Sequence, residues 1–296
     1  MRELGEARRA FVRVDGCRLF VCELGDGAPL AVLHGGPDFD HAYLRPELDR
    51  LAGSARLVYY DQRGRGRTTA GVRPTDVTMG SEIRDLDALR AHLGVEAVAV
   101  LGHSWGAVVA MEYAARHPGR VTHLVLLNPA PATRADWVLL GESLARHRSP
   151  ADVERMTEIA GTTAFKQGDA AAEADYYRAH FRMTLRQPGL LEELVLRLRR
   201  HFTADGVLAA RAIEERLYDE TCRTDGFDLL PGLRGLTVPT LVLTGEHDFI
   251  PVEAAARIAG AVPGARLAVL PGCGHFTFLE RPDDVHAEIG ALLARR

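Results

Sequence analysis

A serine hydroxyl is a weak nucleophile at neutral pH, so a serine that does chemistry must stand at a rigid, accessible point beside a base. Gly102-His103-Ser104-Trp105-Gly106 has the form G-x-S-x-G. The apolar run 95–101 before it reads as a buried strand, and residues 107–117 after it read as a helix stopped by Pro118-Gly119. A turn straight from strand into helix is tight, and glycines on both sides of the serine remove Cβ atoms where the backbones would collide. The helix then aims its first amides at the serine, where they favour a developing negative charge. Five such residues also arise by chance, and a serine can simply cap a helix. The flanking strand and helix favour the nucleophile.

The base is sought among 12 histidines. With a nucleophile on such a turn, the chain order is serine, then an acid, then histidine, each at the end of a strand. His275 meets this in Gly272-Cys273-Gly274-His275-Phe276, just after a strand at 266–270. The acid that orients it should follow the strand at 238–244, in Gly245-Glu246-His247-Asp248-Phe249-Ile250-Pro251. Asp248 is the better placed, since Glu246 lies at the start of the turn. Such an acid holds the imidazole tautomer and stabilises the imidazolium. Cys273, two residues before His275, reads as a small apolar filler.

His34-Gly35-Gly36-Pro37 follows a short strand at 30–33. The amide of Gly36 and that of Trp105, the residue after the serine, are the expected oxyanion donors. An ordinary tight loop is the competing reading. Gly35, Asp38 and Phe249 are candidate substrate contacts. A carboxylate aimed at an oxyanion would oppose catalysis, so Asp38 is expected to point away from it. It either caps the following helical stretch through amides near Asp40 or His41, or faces the substrate to bind a cation or hydroxyl.

The elements that position these residues alternate. Residues 11–14 and 18–23 flank Asp15-Gly16 as a hairpin, and strands at 30–33, 56–60, 95–101 and 121–127 alternate with helical stretches at 41–51, 81–93 and 107–117. Near-continuous apolar strands between helices predict an α/β fold, with a mostly parallel sheet covered on both faces. From 132 to 230 the rhythm breaks into helical patterns at 137–146, 151–159, 170–186, 190–202 and 207–217. Strands resume at 238–244 and 266–270, and a helix closes the chain from 282. The expected organisation is therefore a core of 1–131 and 231–296, interrupted by a helical cap at 132–230, since a structureless loop of roughly 100 residues inside a domain is implausible.

Composition excludes several classes. Hydrophobic residues are 47% and charged residues 26%, with a net charge of −4, so neither disorder nor a nucleic-acid partner is expected. The four cysteines form no C-x-x-C pair and no zinc-type spacing; Cys17 and Cys22 fit reduced thiols as well as a disulfide. The charged N-terminus lacks an apolar leader and no run could span a membrane, so a cytoplasmic protein is expected.

Three segments carry a resemblance. His34-Gly35-Gly36-Pro37-Asp38, Asp61-Gln62-Arg63-Gly64-Arg65-Gly66-Arg67-Thr68 and Gly102-His103-Ser104-Trp105-Gly106 together resemble the proline iminopeptidases and their relatives in the α/β-hydrolase superfamily. There the usual forms are HGGPG, DQRG-x-G-[RK]-S and GGSWG. The likeness runs through the hydrolase core in order, including the Asp248 and His275 segments. It implies an α/β-hydrolase fold, a Ser104–His275–Asp248 triad, an acyl-enzyme route, no metal or organic cofactor, and a small-molecule or short-peptide substrate. Asp38 departs from the family's final glycine, and His103 gives the form commoner among esterases. Phe249 stands where some aminopeptidases place an acid for the substrate amine. Of the acids in the cap, such as Glu142, Glu154, Glu192, Glu193, Glu214 and Glu215, most fit solvent-facing positions. The expected function is a proline iminopeptidase-like aminopeptidase, with a small-molecule esterase, lactonase or amidase as the alternative and a non-catalytic ligand binder behind both. Ser104 disfavours relatives that use an aspartate nucleophile.

Overall fold

A computed structural model describes residues 6–295. The charged N-terminal segment discussed above lies partly in residues 1–5, outside the described residues. Eight strands form one sheet in the order β1-β2-β4-β3-β5-β6-β7-β8. β1 (Arg8–Val14) and β2 (Cys17–Leu24) make the hairpin around Asp15-Gly16, and β2 lies antiparallel to β4. β3 (Pro29–Leu33), β4 (Arg56–Tyr60), β5 (Val98–His103), β6 (Val121–Leu127), β7 (Thr240–Gly245) and β8 (Arg266–Leu270) run parallel. Burial on both faces explains their unbroken apolar runs. Along β5, Val98 and Val100 enter one buried cluster while Ala99 and Leu101 enter the other.

The first cluster is covered by α1 (Met79–His92), α2 (Trp105–Arg116) and, later in the chain, residues of a helix after β7. Between β6 and β7 come α3 (Arg134–His147), α4 (Pro150–Gly161), α5 (Thr163–Lys166), α6 (Ala170–Phe181), α7 (Leu191–Leu198), α8 (Ala204–Glu220) and α9 (Leu230–Leu233). The two ends of this inserted stretch meet at a bridge between Thr133 and Asp228. Then follow α10 (Val252–Ala261), α11 (Thr277–Glu280) and α12 (Pro282–Leu293). α12 and the turns at 41–53 cover the second cluster. Leu194 and Leu198 of α7 are buried there too, so that helix rests on the sheet domain, while Leu190 is only partly buried.

Several elements differ from the sequence reading. The stretch at 41–51 is two 3-10 turns, His41–Leu44 and Glu47–Gly53, split at Pro46, which has no amide to continue a helix. α6 stops at Phe181 rather than running to 186: Leu185 is extended yet packs into the second cluster, so apolar spacing outlasts the helix. α7 likewise ends at Leu198, and β5 starts at Val98. α10, rich in alanine, has no counterpart in the sequence reading. All four cysteines are free and buried, so Cys17 and Cys22 form no disulfide. Among the described residues no helix is long and apolar enough to cross a membrane.

The topology fixes where a ligand must sit. The chain leaves β3 toward β4 on one side and β5 toward β6 on the other, so the crevice between β3 and β5 is the switch point of the sheet. The carboxyl ends of β3, β5, β6, β7 and β8 all open toward it, followed at once by His34, Ser104, Asn128, Glu246 and Pro271.

Candidate active site

Ser104 sits between β5 and α2 with φ 52° and ψ −117°, outside the regions a side-chain-bearing residue prefers. The surroundings hold it there. A Cβ on Gly102 would lie 2.3 Å from the Gly106 carbonyl oxygen, and one on Gly106 would lie 2.5 Å from that of Leu33. Its own amide bonds the Leu127 carbonyl at 3.0 Å. Strain of this kind persists only where packing over-determines it.

The hydroxyl of Ser104 lies 3.1 Å from His275 Nε2, and His275 Nδ1 lies 2.9 and 3.0 Å from the two Asp248 carboxylate oxygens. His275 and Asp248 are buried, while Ser104 is partly accessible. Asp248 is saturated: Oδ2 accepts from Asn128 Nδ2 at 2.8 Å and from Thr244 Oγ1 at 3.2 Å, and Oδ1 accepts from the Ile250 amide at 2.9 Å. Glu246, the alternative acid, is exposed and accepts from the Gly272 amide at 3.0 Å instead. Cys273 is fully buried, and burial with the nearby Glu280 carboxylate pushes its thiol up to about 12, which leaves it inert.

Behind the serine, the β3 loop is clamped by the Asp61-Gln62 segment. Gln62 donates its amide to His34 Nε2 at 3.1 Å and its side chain to the His34 carbonyl at 2.8 Å. The His34 proton is therefore on Nδ1, donated to the Gly35 carbonyl at 2.9 Å. Burial, and then the Arg65 charge, push His34 down to about 3, so it stays neutral. Gly36 has φ 117°, and a Cβ there would lie 2.2 Å from the Asp38 amide. The amides of Gly36 and Trp105 find no partner among the described residues, and both residues line the cavity that holds Ser104. Gly35 behaves differently. Its amide donates to Tyr43 Oη at 2.8 Å, and that hydroxyl donates to His103 Nδ1 at 2.7 Å. Gly35 does not line the cavity, so its expected substrate contact is withdrawn: its amide is spent on the loop's own support.

The cavity has a volume of about 220 Å³. Its walls are largely aromatic, with Phe39, Trp137, Tyr177, Phe181, Tyr218 and Phe249 among them. Phe249 stands 4.5 Å from the His275 ring. α3, α6 and α8 contribute Trp137, Leu140, Leu144, Tyr176, Tyr177, His180, Phe181, Glu214 and Tyr218.

Asp38 lines this cavity but does not cap the next helical turn. Asp40 does that, accepting from the Ala42 amide at 2.7 Å. The Asp38 carboxylate turns the other way, onto Arg199 Nη2 at 2.5 Å and Tyr177 Oη at 3.1 Å. Arg199 also pairs with Glu173, which is bound in turn by Arg211. No hydrophobic pattern reports a pair that joins the β3 loop to the residue just beyond α7. Of the acids in the inserted helices, Glu214 reaches the cavity, and burial, followed by the Asp38 charge, raises its carboxyl to about 8. Asn128, with φ 44°, was also missed; an asparagine just past a strand is the residue type that tolerates such a backbone. Among the described residues no cluster of His, Cys, Asp and Glu is arranged to hold a metal ion.

Comparison with known proteins agrees with this architecture. A family model of the alpha/beta hydrolase fold matches residues 28–282. Proline iminopeptidase of Lactobacillus helveticus is 28% identical over 294 residues, 95% of each chain. The structure of a proline iminopeptidase-related protein from Thermus thermophilus superposes with TM-score 0.71 at 27% identity, covering 98% of both chains. A thermophilic esterase from Thermogutta terrifontis gives TM-score 0.69 at 25% identity, covering 97% of this chain and 98% of its own. The match across most of its length, on a switch-point sheet with a strand–serine–helix turn, makes this chain a hydrolase of the α/β-hydrolase family, similar to the proline iminopeptidases.

Proposed function

We propose that the chain is a serine hydrolase that cleaves an amide or ester bond through an acyl-enzyme, with Ser104 as nucleophile, His275 as base and Asp248 as the orienting acid. The hydrogen-bonded line Ser104–His275–Asp248, at 3.1 and 2.9 Å inside a cavity, carries this reading. His275 takes the serine proton as Oγ attacks the carbonyl carbon, then returns it to the leaving amine or alkoxide. The unpaired amides of Gly36 and Trp105 are positioned to stabilise the oxyanion. Water then attacks the acyl-enzyme by the same route in reverse.

Within this class, the preferred reading is a proline iminopeptidase-like aminopeptidase. Glu214 on the cavity wall supports it. Asp38, Glu173, Arg199 and Arg211 cancel in charge, and Glu214 holds a proton up to about pH 8; a substrate ammonium beside it would favour loss of that proton and pair with the carboxylate. The predominantly aromatic wall and Phe249 favour a second reading, an esterase, lactonase or amidase for an apolar small molecule. Two measurements test the proposal. A fluorophosphonate probe should label Ser104, and peptide mapping that places the label elsewhere refutes the nucleophile. Substrates offered with a free and with an acylated α-amine then separate the readings. The aminopeptidase reading requires a strong preference for the free amine; indifference or the reverse preference selects the second.

A further inference from the structure

His180 on α6 lines the same cavity, yet no step above uses it. Its Nδ1 lies 2.9 Å from Arg148 Nη2. A guanidinium can only donate, so Nδ1 is the acceptor and the ring proton is on Nε2. Nε2 has no protein partner among the described residues, and the residue lines the cavity. Arg148 is itself unusual. It forms no ion pair with a carboxylate among the described residues, and its Nε is buried without a partner. Keeping a half-buried cation without a counter-charge is costly. What it gains here is a histidine fixed in one tautomer. Burial, and then the Arg148 charge, push that histidine down to about 3, so it remains an uncharged donor.

The ring is locked sideways as well. It stacks on Tyr176 at 6.0 Å and meets Phe181 edge-on at 4.6 Å. Ring contacts run from it through Phe181 to Phe276 and on to His275, at 5.4 Å and 5.2 Å in the last two steps. Among the described residues no aromatic contact joins His180 directly to His275, and its ring presents a fixed N–H in an aromatic wall. A largely aromatic pocket discriminates strongly by its few fixed polar groups, because leaving one unpaired is costly.

We propose that His180, oriented by Arg148, is a specificity-determining residue that donates from Nε2 to an uncharged acceptor oxygen of the substrate, a carbonyl, ether or hydroxyl remote from the bond that is cut. This rests on the proposed function only in taking the Ser104 cavity as the substrate site. Arg148 is a positioning residue: it touches no substrate and acts through the tautomer of His180.

The test uses binding, so that it does not depend on turnover. The chain has two tryptophans, Trp105 and Trp137, and both line the cavity, so their fluorescence reports its occupancy. In full-length Ser104→Ala protein, esters are titrated in which one methylene is replaced by an ether oxygen at each position in turn. One series varies the acyl chain of methyl hexanoate and the other varies the alcohol of pentyl acetate. At one position, the ether-to-methylene affinity ratio should exceed that of the His180→Phe protein by about three- to tenfold, the worth of one neutral hydrogen bond. His180→Gln, which keeps an N–H, should retain part of that gain. Arg148→Met should lower it by about twofold, because the freed ring can take either tautomer. His180→Leu serves if the Phe variant does not fold. An unchanged ratio at every position in both series overturns the proposal. So does loss in Arg148→Met without loss in His180→Phe, which would make the guanidinium the ligand. Imidazole ¹⁵N spectra of the unsubstituted protein must place the His180 proton on Nε2; a proton on Nδ1 refutes the assignment. Failure of the parent protein to hydrolyse any ester or amide would count against the proposed function alone and leave these ratios standing.

Discussion

Asn128 donates from Nδ2 to Asp248 Oδ2 at 2.8 Å while its own Oδ1 accepts from Thr277 Oγ1 at 2.6 Å. The asparagine thus ties the carboxylate that faces His275 to the segment just beyond that histidine. Its left-handed backbone, φ 44°, aims the amide into the site. Asn128→Ala removes both the amide and the residue type suited to that backbone; Asn128→Gly removes only the amide. Both variants should lower kcat by about tenfold or more, the worth of a hydrogen bond to a charged group, with KM little changed. A loss in Ala that Gly restores would assign Asn128 a purely backbone role.

Asp38→Asn should destabilise the protein, measured by urea unfolding, by roughly 2 kcal/mol or more, because it removes one partner of a buried ion pair. The pair's side chains are 4% and 5% exposed, so solvent screens it little. Glu173 keeps a partial counter-charge on Arg199 and sets the loss below that of complete unpairing. Unchanged stability would show that the Asp38–Arg199 pair contributes nothing net to folding.

The raised carboxyl of Glu214 makes a signed prediction. Its ordinary value is 4.5 and its folded value is about 8, so between these the folded state holds a proton that the unfolded state has released. Its contribution therefore favours folding at low pH and is lost as pH rises through that window. Glu214→Gln should flatten the fall of Tm between about pH 4.5 and 8 and should be the more stable form at pH 8. Thermal melts across that range check it, and parallel curves for the two proteins would refute it. If the cavity takes an amine, the same variant should raise KM for free-amine substrates and spare their acylated counterparts.

Glu280 connects the inserted helices to the loop of His275. Its carboxylate accepts from the amides of Gly274 at 2.6 Å, Arg186 at 2.5 Å and Gln187 at 2.8 Å. The His275 amide in turn bonds the Thr184 carbonyl at 2.9 Å. Glu280→Gln sets an NH₂ against amide donors. Hydrogen exchange of Gly274, Arg186 and Gln187 should accelerate together, by about tenfold for each 1.4 kcal/mol of local stability lost. Acceleration confined to one of the two segments would show that Glu280 does not couple them.

How much of this was legible in the sequence depends on the range over which each feature is decided. The strand–turn–helix around Ser104 is local: valine-rich residues, two glycines that a Cβ would displace, and a helical stretch lie within about 20 consecutive positions, and each fits the other's geometry. The alternation of buried strands with helices follows from the same short-range patterns, and the choice of Asp248 and His275 rested on the chain order that such a turn implies. Glu246 and Asp248 lie two residues apart, but the turn after β7 gives them different surroundings, and only folding shows Glu246 reaching outward to Gly272. Asp38 and Arg199 are separated by 161 positions, and Asn128 and Asp248 by 120. Such polar pairings have no period to read, because a hydrogen bond depends on where two elements dock and not on the pattern within either. For Asp38 the sequence left two readings, a cap on the nearest helical turn or a substrate contact, because local bonding and the neighbouring motif are all that a sequence displays. The docking of α7 brought a buried guanidinium within reach, and the cost of leaving that charge unpaired decided which partner the carboxylate took.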